Sequence, residues 1–248
     1  MIQEKPILRR RLKAALRLAL QSALRIPCPA VYGIPYVLLQ RLQKNVPLYV
    51  VDVGAHDGEF TFGLASYCGL EAAVLVEPLP HKAAKLREKF RPPHYQVFEC
   101  ALAAAPGEAE LRINEMEATS SLFSIRRDMP ELNALPLGRE RVVRVAQRTL
   151  DGAIAEAGLP RIDVLKIDVQ GAEHLVLSGA AETLSRTRIV WTECSFKPLY
   201  DGSSTFTDIY AALNAAGFRL LEMSPTFRSH TGELLQSDLL FVNSQLPT

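Results

Sequence analysis

Acidic residues follow four apolar segments of the sequence, at the points where buried strands are predicted to end. They are Asp52, Glu77, Asp168 and Glu193. Because ligands of open α/β sheets bind beyond the carboxyl ends of the strands, we expect the four carboxylates to lie around one site. Carboxylates there can accept hydrogen bonds from hydroxyl or ammonium groups of a ligand, and one of them can act as a general base.

A glycine-containing turn follows the first of these strands, in the sequence VDVGAHDGEF at residues 51–60. Gly54 and Gly58 permit a tight turn from strand to helix and let the backbone approach a ligand closely. Glu77 ends the next predicted strand, and an acid about 20 residues beyond such a loop typically binds the hydroxyls of a ribose. The combination predicts a nucleoside ligand.

The charge of the turn distinguishes between two kinds of nucleoside. A dinucleotide is normally bound by G-x-G-x-x-G, where the helix N-terminus receives the pyrophosphate. Here the turn reads G-A-H-D-G, and Asp57 places a negative charge where the pyrophosphate would lie. A phosphate-free nucleoside with an ammonium group fits better, and S-adenosylmethionine is such a molecule. A nicotinamide-dependent oxidoreductase is the alternative enzyme.

Apolar strands alternate with helical segments from residue 48 onward, which predicts a doubly wound parallel sheet. The predicted strands are residues 48–51, 73–76, 95–101, 110–114, 142–147, 162–168 and 189–194. Segments 218–223 and 237–242 are predicted to close the sheet as an antiparallel pair at its edge. Residues 115–140 predict a long irregular loop, a kind of segment that often covers an active site.

The net charge of +1 combines a basic N-terminal segment with an acidic remainder. Residues 1–47 contain nine Lys or Arg and one acid, Glu4, so the rest of the chain carries a charge of −7. No basic stripe lies near the predicted site, which argues against nucleic acid as a partner. The 48% of hydrophobic residues is ordinary for a soluble globular protein.

The four cysteines show neither CxxC pairing nor the spacing of zinc ligands. They are Cys28, Cys68, Cys100 and Cys194. Three of the four lie within apolar stretches and are interpreted as small core residues, without a metal-binding role. Unpaired cysteines are typical of a reducing compartment, so the predicted location is cytoplasmic.

Residues 1–47 are predicted to form a helical extension, and residues 48–248 the catalytic domain. Between residues 6 and 25, apolar residues recur at helical spacing and the opposite face is rich in arginine and lysine. One interpretation is a helix that packs across the domain or pairs two subunits in a homodimer. The other is peripheral contact with the anionic inner face of a membrane.

Six motifs extend along most of the chain: VDVGAHDGEFT, LVEP, VFECALA, TSSLF, RTLDG and VLKIDVQGAEHLVLSGA. Together they resemble the FkbM family of S-adenosylmethionine-dependent methyltransferases. The similarity covers roughly residues 49–242, and VLKIDVQGAE is its most specific part. It implies a class I methyltransferase fold, which is a Rossmann-like, doubly wound, seven-stranded sheet with an antiparallel last strand. It also implies O-methylation of a hydroxyl on a sugar of a glycolipid, a polysaccharide or a glycosylated natural product.

The resemblance also implies which residues bind S-adenosylmethionine. They belong to the glycine-containing turn, the ends of the second and third strands, the long loop and the VLKIDVQGAE block: Asp52, Gly54, Ala55, His56, Asp57, Gly58, Glu77, Pro78, Cys100, Ala101, Leu102, Ser120, Ser121 and Asp168. Glu77 is expected to hold the ribose hydroxyls, and Asp168 is expected near the sulfonium. His56 departs from the asparagine of many family members, and is interpreted either as a cofactor contact or as a solvated turn residue.

Methyl transfer to a sugar hydroxyl needs a base or a metal ion, because a hydroxyl is a poor nucleophile at neutral pH. Asp168 is the first candidate for the base, followed by Glu193, His174 and His56. The alternative is a Mg²⁺ ion held by the carboxylates of Asp168 and Glu193, since this ion prefers oxygen ligands. The predicted partner is a small-molecule or glycan hydroxyl. A catalytically inactive scaffold is the non-enzyme alternative, and the presence of Asp52, Glu77 and Asp168 together argues against it.

Overall fold

The computed structural model describes residues 30–31, 34–42, 46–129, 132 and 137–246. The amphipathic helix predicted at residues 6–25 lies outside the described residues. Its contact with a membrane or a second subunit therefore stays a prediction, as does the cytoplasmic location. Within the described ranges, no helix combines the length and the hydropathy needed to span a membrane.

The described part of the chain alternates strands and helices. The strands are β1 (Ala30–Val31), β2 (Ile34–Pro35), β3 (Leu48–Val53), β4 (Leu70–Val76), β5 (Tyr95–Phe98), β6 (Ala101–Leu102), β7 (Gly107–Ile113), β8 (Arg141–Arg148), β9 (Ile162–Ile167), β10 (Thr187–Ser195), β11 (Phe218–Arg228) and β12 (Leu234–Asn243). The helices are α1 (Tyr36–Arg41), α2 (Glu59–Tyr67), α3 (Pro80–Lys89), α4 (Leu150–Ala157), α5 (Glu173–Ser178), α6 (Ala181–Ser185) and α7 (Phe206–Ala215), with a 3₁₀ helix at Glu117–Thr119.

The central sheet has seven strands in the order β11-β12-β10-β9-β3-β4-β5. The strands from β10 to β5 are parallel neighbours, and β12 runs antiparallel to both β10 and β11. This confirms the predicted doubly wound sheet with an antiparallel last strand. The closing pair lies at the edge of the sheet as predicted, with β12 between β10 and β11 and with β11 as the outermost strand. A hairpin pattern predicts that two strands pair, but not which of them joins the rest of the sheet.

The strand predicted at residues 95–101 is divided between two sheets. β5 ends at Phe98 in the central sheet, whereas β6 pairs with β8 in a three-stranded sheet that β7 completes. The pairing of β7 with β8 confirms the strand predicted at residues 110–114. Side chains of β6 and β7 pack against Leu79, which follows the end of β4. The small sheet therefore lies beside the carboxyl ends of the central strands.

Helices cover both faces of the central sheet, which explains why its middle strands are apolar without interruption. All six residues of β9 are buried, and in β3 only Tyr49 is partly exposed. Successive side chains of a strand point to opposite faces, so Val51 and Val50 belong to the two different cores. Leu38 of α1 is buried in the same core as Val50. The described end of the predicted extension therefore packs against the catalytic domain.

Gly54 stands where two strand ends meet. Its φ of 73° is left-handed, and a Cβ at this position would lie 1.8 Å from the carbonyl oxygen of Asp168. Nearby, the amide of Asp168 donates a hydrogen bond to the carbonyl oxygen of Val53 at 3.1 Å. Only glycine allows this approach, so Gly54 brings the turn after β3 into contact with the segment after β9.

We expect Gly54→Ala to destabilise the fold by at least about 3 kcal/mol, because the added methyl group would overlap the backbone of Asp168. Gly158→Ala is the matched control, since Gly158 has a φ of +68° and no atom lies within 4 Å of its Cβ position. A left-handed alanine without a clash should cost only about 1 kcal/mol. Urea denaturation gives both free energies of unfolding, and equal losses would contradict the close approach.

Candidate active site

A cavity of about 330 Å³ lies at the carboxyl ends of β3, β4, β9 and β10. This is the position where open α/β sheets bind ligands. Most of the predicted site residues line it: Gly54, Ala55, His56, Asp57, Glu77, Pro78, Cys100, Ala101, Leu102, Ser120, Ser121, Asp168 and Glu193. The fold thus brings to one place residues that are far apart in the sequence. Asp52, Gly58 and His174 are the predicted residues that do not line the cavity.

Lys166 is the buried cation of the cavity lining. Its ammonium group donates to the carbonyl oxygen of Gly54 at 2.7 Å and lies 3.4 Å from Asp52 Oδ1 and 3.5 Å from Asp168 Oδ2. Burial alone would lower the pKa of Lys166, but the carboxylates of Asp168 and Asp52 outweigh burial and raise it. Asp52 does not line the cavity, because its buried carboxylate contacts Lys166 and Thr61 instead.

Gly58 and His174 also lie away from the cavity lining. A Cβ at Gly58 would lie 2.5 Å from the ring of Phe90, so the packing of α2 against the end of α3 requires this glycine. His174 stacks on Phe123 with 5.9 Å between the ring centroids. Burial lowers the pKa of His174. Both residues make packing contacts, and neither of them lines the cavity.

The carboxylate of Glu77 lines the cavity in a fixed orientation. Oε2 accepts a hydrogen bond from the amide of His56 and Oε1 from the amide of Leu79, each at 2.9 Å. Burial raises the pKa of Glu77, although the two hydrogen bonds oppose this effect. Each carboxylate oxygen has a further lone pair. Two neighbouring hydroxyls, such as those of a ribose, can therefore bind to it.

Apolar side chains line the cavity next to Glu77. They are Leu79, Cys100, Ala101, Leu102, Leu111 and Leu122. Burial raises the pKa of Cys100 to about 11, so its thiol is neutral at physiological pH and behaves as a small apolar group. A lining of this kind suits the flat face of a purine base.

Two serines of segment 115–140 lie at the cavity in different surroundings. Ser121 Oγ donates to the carbonyl oxygen of Gln170 at 2.7 Å. Ser120 Oγ is buried and has no hydrogen-bond partner within the described residues. A buried hydroxyl without a partner is costly, so Ser120 is the serine whose hydroxyl a ligand in the cavity can satisfy.

Asp57, in the turn between β3 and α2, is paired with a cation. Lys82 Nζ donates to both carboxylate oxygens of Asp57 at 3.0 Å, and His56 Nδ1 lies 3.1 Å from Asp57 Oδ2. The hydrogen bond from Lys82 is the main cause of the lowered pKa of Asp57. The argument that Asp57 by itself repels a pyrophosphate is therefore corrected, because Lys82 offsets its charge.

The cavity lining as a whole is nonetheless acidic. Seven acids line it, against the single lysine Lys166: Asp57, Glu59, Glu77, Glu117, Asp168, Glu193 and Asp238. Charges around a partly enclosed cavity act together on a bound ligand, and their effect is stronger than in water. The lining therefore disfavours a pyrophosphate and favours a ligand with positive charges.

Gln170 was not predicted as a site residue, yet it joins two of the strand-end acids. Its Nε2 donates to Asp168 Oδ1 at 2.7 Å and to Glu193 Oε2 at 3.0 Å. Its φ of 56° is left-handed, a conformation that costs a residue with a side chain about 1–2 kcal/mol. Its position between a strand end and Gly171 was the available signal in the sequence.

Asp238 is a second site residue that was not predicted. It lies on β12 directly opposite Glu193 of β10 and lines the cavity. Burial raises the pKa of Asp238 to about 7, and the charge of Asp168 adds to this. Burial also raises the pKa of Glu193, with the charges of Asp168, Glu173 and Asp238 adding to it. The sequence predicted a strand at residues 237–242 and its pairing with residues 218–223, but not its pairing with β10.

The geometry does not favour the Mg²⁺ hypothesis. Within the part of the chain that the structure describes, no three or more His, Cys, Asp or Glu side chains are arranged to hold a metal ion. Instead, the Gln170 amide bridges Asp168 and Glu193, the two acids from which the hypothesis started. These residues do not fit the ion, so we do not propose a metal site.

Comparisons with known proteins agree with this geometry. Residues 52–220 match the model of the family described as "Methyltransferase FkbM domain". Over 171 residues, the chain is 31% identical to the 2-O-methyltransferase NoeI of Sinorhizobium fredii. The matched residues are 66% of this chain and 70% of that protein. The crystal structure of methyltransferase FkbM from Methylobacillus flagellatus KT is similar with a TM-score of 0.54 and 17% identity, over 83% of this chain and 46% of that one. That similarity concerns the fold, and the present chain spans less than half of the crystallised one.

Glu173 is a buried acid near the cavity. Its Oε1 accepts hydrogen bonds from the amides of Val169 and Gly171 at 3.0 and 3.2 Å. Burial raises the pKa of Glu173 from 4.5 to about 7. The folded state therefore keeps a proton that the unfolded state releases within this range. It follows that stability falls as the pH rises through the same range.

We expect Glu173→Gln to remove the loss of stability at rising pH, because a glutamine carbonyl can accept the same two hydrogen bonds without a charge. Above pH 7 the variant should be more stable than the wild type by roughly 3 kcal/mol, and the difference should disappear below about pH 4. Urea denaturation across this pH range tests the prediction, with exposed Glu88→Gln as the control. A difference that does not change with pH would show that the charge of Glu173 is not the cause.

Proposed function

This chain belongs to the FkbM methyltransferase family, and we propose that it transfers the methyl group of S-adenosylmethionine to a hydroxyl oxygen of a sugar. The proposed acceptors are sugars of glycolipids, polysaccharides or glycosylated natural products. The nicotinamide-dependent alternative is abandoned, because the family is one of methyltransferases and the cavity lining disfavours a pyrophosphate.

The acidic lining of the cavity is the observation that carries this proposal. S-adenosylmethionine has a positive sulfonium and a positive ammonium group, and it has no phosphate. Seven carboxylic acids line the cavity with one lysine, so a ligand of this charge offsets the repulsion among them. A phosphate-bearing cofactor would add to that repulsion.

Three parts of the cavity fit three parts of the cofactor. Glu77 would hold the ribose hydroxyls, since both of its oxygens are oriented by backbone amides and retain acceptor capacity. The apolar lining beside it, which includes Leu102, would receive the adenine. The turn at Ala55 and His56 would lie along the methionine portion. Ser120 would supply a hydrogen bond from its otherwise unpartnered hydroxyl.

Asp168 is the proposed general base. Its Oδ1 accepts a hydrogen bond from Gln170, and its Oδ2 lies 3.5 Å from the ammonium group of Lys166. Both neighbours stabilise a negative charge on Asp168. When bound, S-adenosylmethionine supplies an electrophilic methyl group that its sulfur releases as it takes back the bonding electron pair. Asp168 takes the proton of the attacking hydroxyl, and the cavity walls limit the access of water.

The remaining lining suits a sugar as the acceptor. Trp191 lines the cavity beside Glu193 and Asp238. A flat aromatic ring can pack against the C–H groups of a sugar ring, while carboxyl groups bond its hydroxyls. The acids would repel an anionic acceptor, so the proposed sugar is neutral or positively charged. The relative named as a 2-O-methyltransferase supports oxygen as the methylated atom.

We expect S-adenosylmethionine to raise the melting temperature of the protein and NADH to leave it unchanged, because only a bound ligand stabilises the folded state. Glu77→Ala should weaken binding of S-adenosylmethionine at least about 100-fold, since it removes two hydrogen bonds to a charged acceptor. Titration calorimetry measures the affinities, and exposed Glu88→Ala of α3 serves as the control. An affinity unchanged in Glu77→Ala would exclude the ribose role.

We expect label from methyl-tritiated S-adenosylmethionine to appear on neutral glycans or glycolipids as a methyl ether. An ether withstands alkali, whereas a methyl ester is hydrolysed, so alkali treatment identifies the linkage. Asp168→Asn should lower kcat about 10²–10⁴-fold, because it removes the proton acceptor. Glu88→Gln should leave kcat unchanged. Label on nitrogen or in an alkali-labile product would contradict the proposal.

A further inference from the structure

The side-chain amide of Gln170 is fully engaged. Its Nε2 donates one proton to Asp168 Oδ1 at 2.7 Å and the other to Glu193 Oε2 at 3.0 Å. Its Oε1 accepts the proton of the Tyr200 hydroxyl at 2.9 Å. An amide has two N–H donors and one carbonyl acceptor, so each of these groups in Gln170 has its own hydrogen-bond partner.

We propose that Gln170 is a positioning residue for methyl transfer, whose amide keeps the Asp168 carboxylate charged and oriented to receive the proton of the acceptor hydroxyl. The Tyr200 hydroxyl sets the direction of that amide. The proposal rests on the proposed function, in which Asp168 is the base. Gln170 acts through Asp168 and is not itself given a bond to the substrate.

Tyr200 is important because a side-chain amide can flip, which exchanges the positions of its oxygen and its NH₂ group. With its oxygen toward the acids, the amide would accept a proton from whichever acid is protonated. Glu193 is an acid that can carry one, because burial raises its pKa and the charges of Asp168 and Glu173 add to this. Burial also raises the pKa of Tyr200, so the phenol keeps its proton. The amide oxygen of Gln170, at 2.9 Å, is a closer acceptor for that proton than the carbonyl oxygen of Thr119, at 3.4 Å. The NH₂ group therefore stays directed at Asp168.

The backbone of Gln170 is held as firmly as its side chain. Its left-handed φ of 56° is uncommon for a residue with a side chain and persists only where neighbouring groups fix it. Ser121 Oγ donates to its carbonyl oxygen at 2.7 Å. The amide of Ser204 donates to the carbonyl oxygen of the next residue, Gly171, at 3.1 Å. These bonds fix the point from which the Gln170 side chain reaches Asp168.

The loops that carry Ser121 and Tyr200 are bound to each other. Ile125 and Tyr200 form an antiparallel bridge. One of these loops therefore holds the backbone of Gln170 and the other holds its amide. A shift of either loop would therefore move Gln170, and with it the hydrogen bond to the carboxylate of Asp168.

Further charged and titratable groups around Asp168 come from five elements. They are Asp52 on β3, Lys166 on β9, Glu193 on β10, Asp238 on β12 and Glu173 on α5. The acids disfavour another negative charge, whereas Lys166 favours it. Gln170 favours it as well, and it does so without adding a charge of its own. Removal of its amide should therefore move the titration of Asp168 to higher pH.

Gln170→Leu and Tyr200→Phe test the proposal, in protein labelled with ¹³C at the carboxyl groups of Asp and Glu. NMR follows the titration of Asp168, whose signal is assigned from its loss in Asp168→Asn. We expect Gln170→Leu to raise the Asp168 midpoint by about one pH unit, since it deletes a hydrogen bond to a charged group. Tyr200→Phe should raise it by less. The acidic limb of the kcat profile should move to higher pH by the same amounts.

Tyr210→Phe is the matched control, because it deletes the same hydroxyl from a tyrosine that is 40% exposed. It should change neither the carboxyl titration nor the kcat profile. If Gln170→Leu does not fold, Tyr200→Phe decides, since it removes a single oxygen atom. Folded variants whose Asp168 titration and acidic limb match the wild type would overturn the proposal. If the wild type transfers no methyl group, the proposed function fails, and the carboxyl titration still decides whether Gln170 holds Asp168 in its charged form.

Discussion

A buried ammonium group joins the two central strands at the end of the sheet where the cavity lies. Taking a lysine out of water is costly and is compensated only where opposite charges and hydrogen bonds surround it. Here Asp52 comes from β3, Asp168 follows β9, and the Gly54 carbonyl belongs to the turn between β3 and α2. Asp52 also accepts a hydrogen bond from Thr61 of α2. The positions of the turn, of α2 and of Asp168 therefore all depend on Lys166.

Around this cation the fold gathers acids that repel one another. Burial raises the pKa of Glu173 and Asp238 to about 7, and that of Glu193 is raised too. Perturbed pKa values of this kind cluster at functional sites, where charged groups are placed at a cost to stability. The strands β3 and β9, which support the cluster, are mostly apolar and almost entirely buried. The domain thus places its mutually repelling carboxylates around the cavity, where a cationic ligand would reduce the repulsion among them.

The alternation of strands and helices predicted the sheet, and the rule that acids at parallel strand ends share one edge placed Glu77, Asp168 and Glu193 at the cavity. The same rule fails for Asp52, because position along a strand does not say which neighbour a side chain turns toward, and here Lys166 binds it. Gln170 and Asp238 were missed for a related reason. Their roles depend on partners that pattern does not identify, namely the Tyr200 hydroxyl and the strand opposite β12.

The insertion of β12 between β10 and β11 sets the order in which the domain can be completed. Of these three strands, β12 leaves the ribosome last, so both of its neighbours first exist with an open edge. Unpaired strand edges are templates for association with other chains. Pairs such as Ile189 with Val242 join distant parts of the sequence and form slowly. One edge of β10 and one edge of β11 are therefore covered only after β12 has been synthesised.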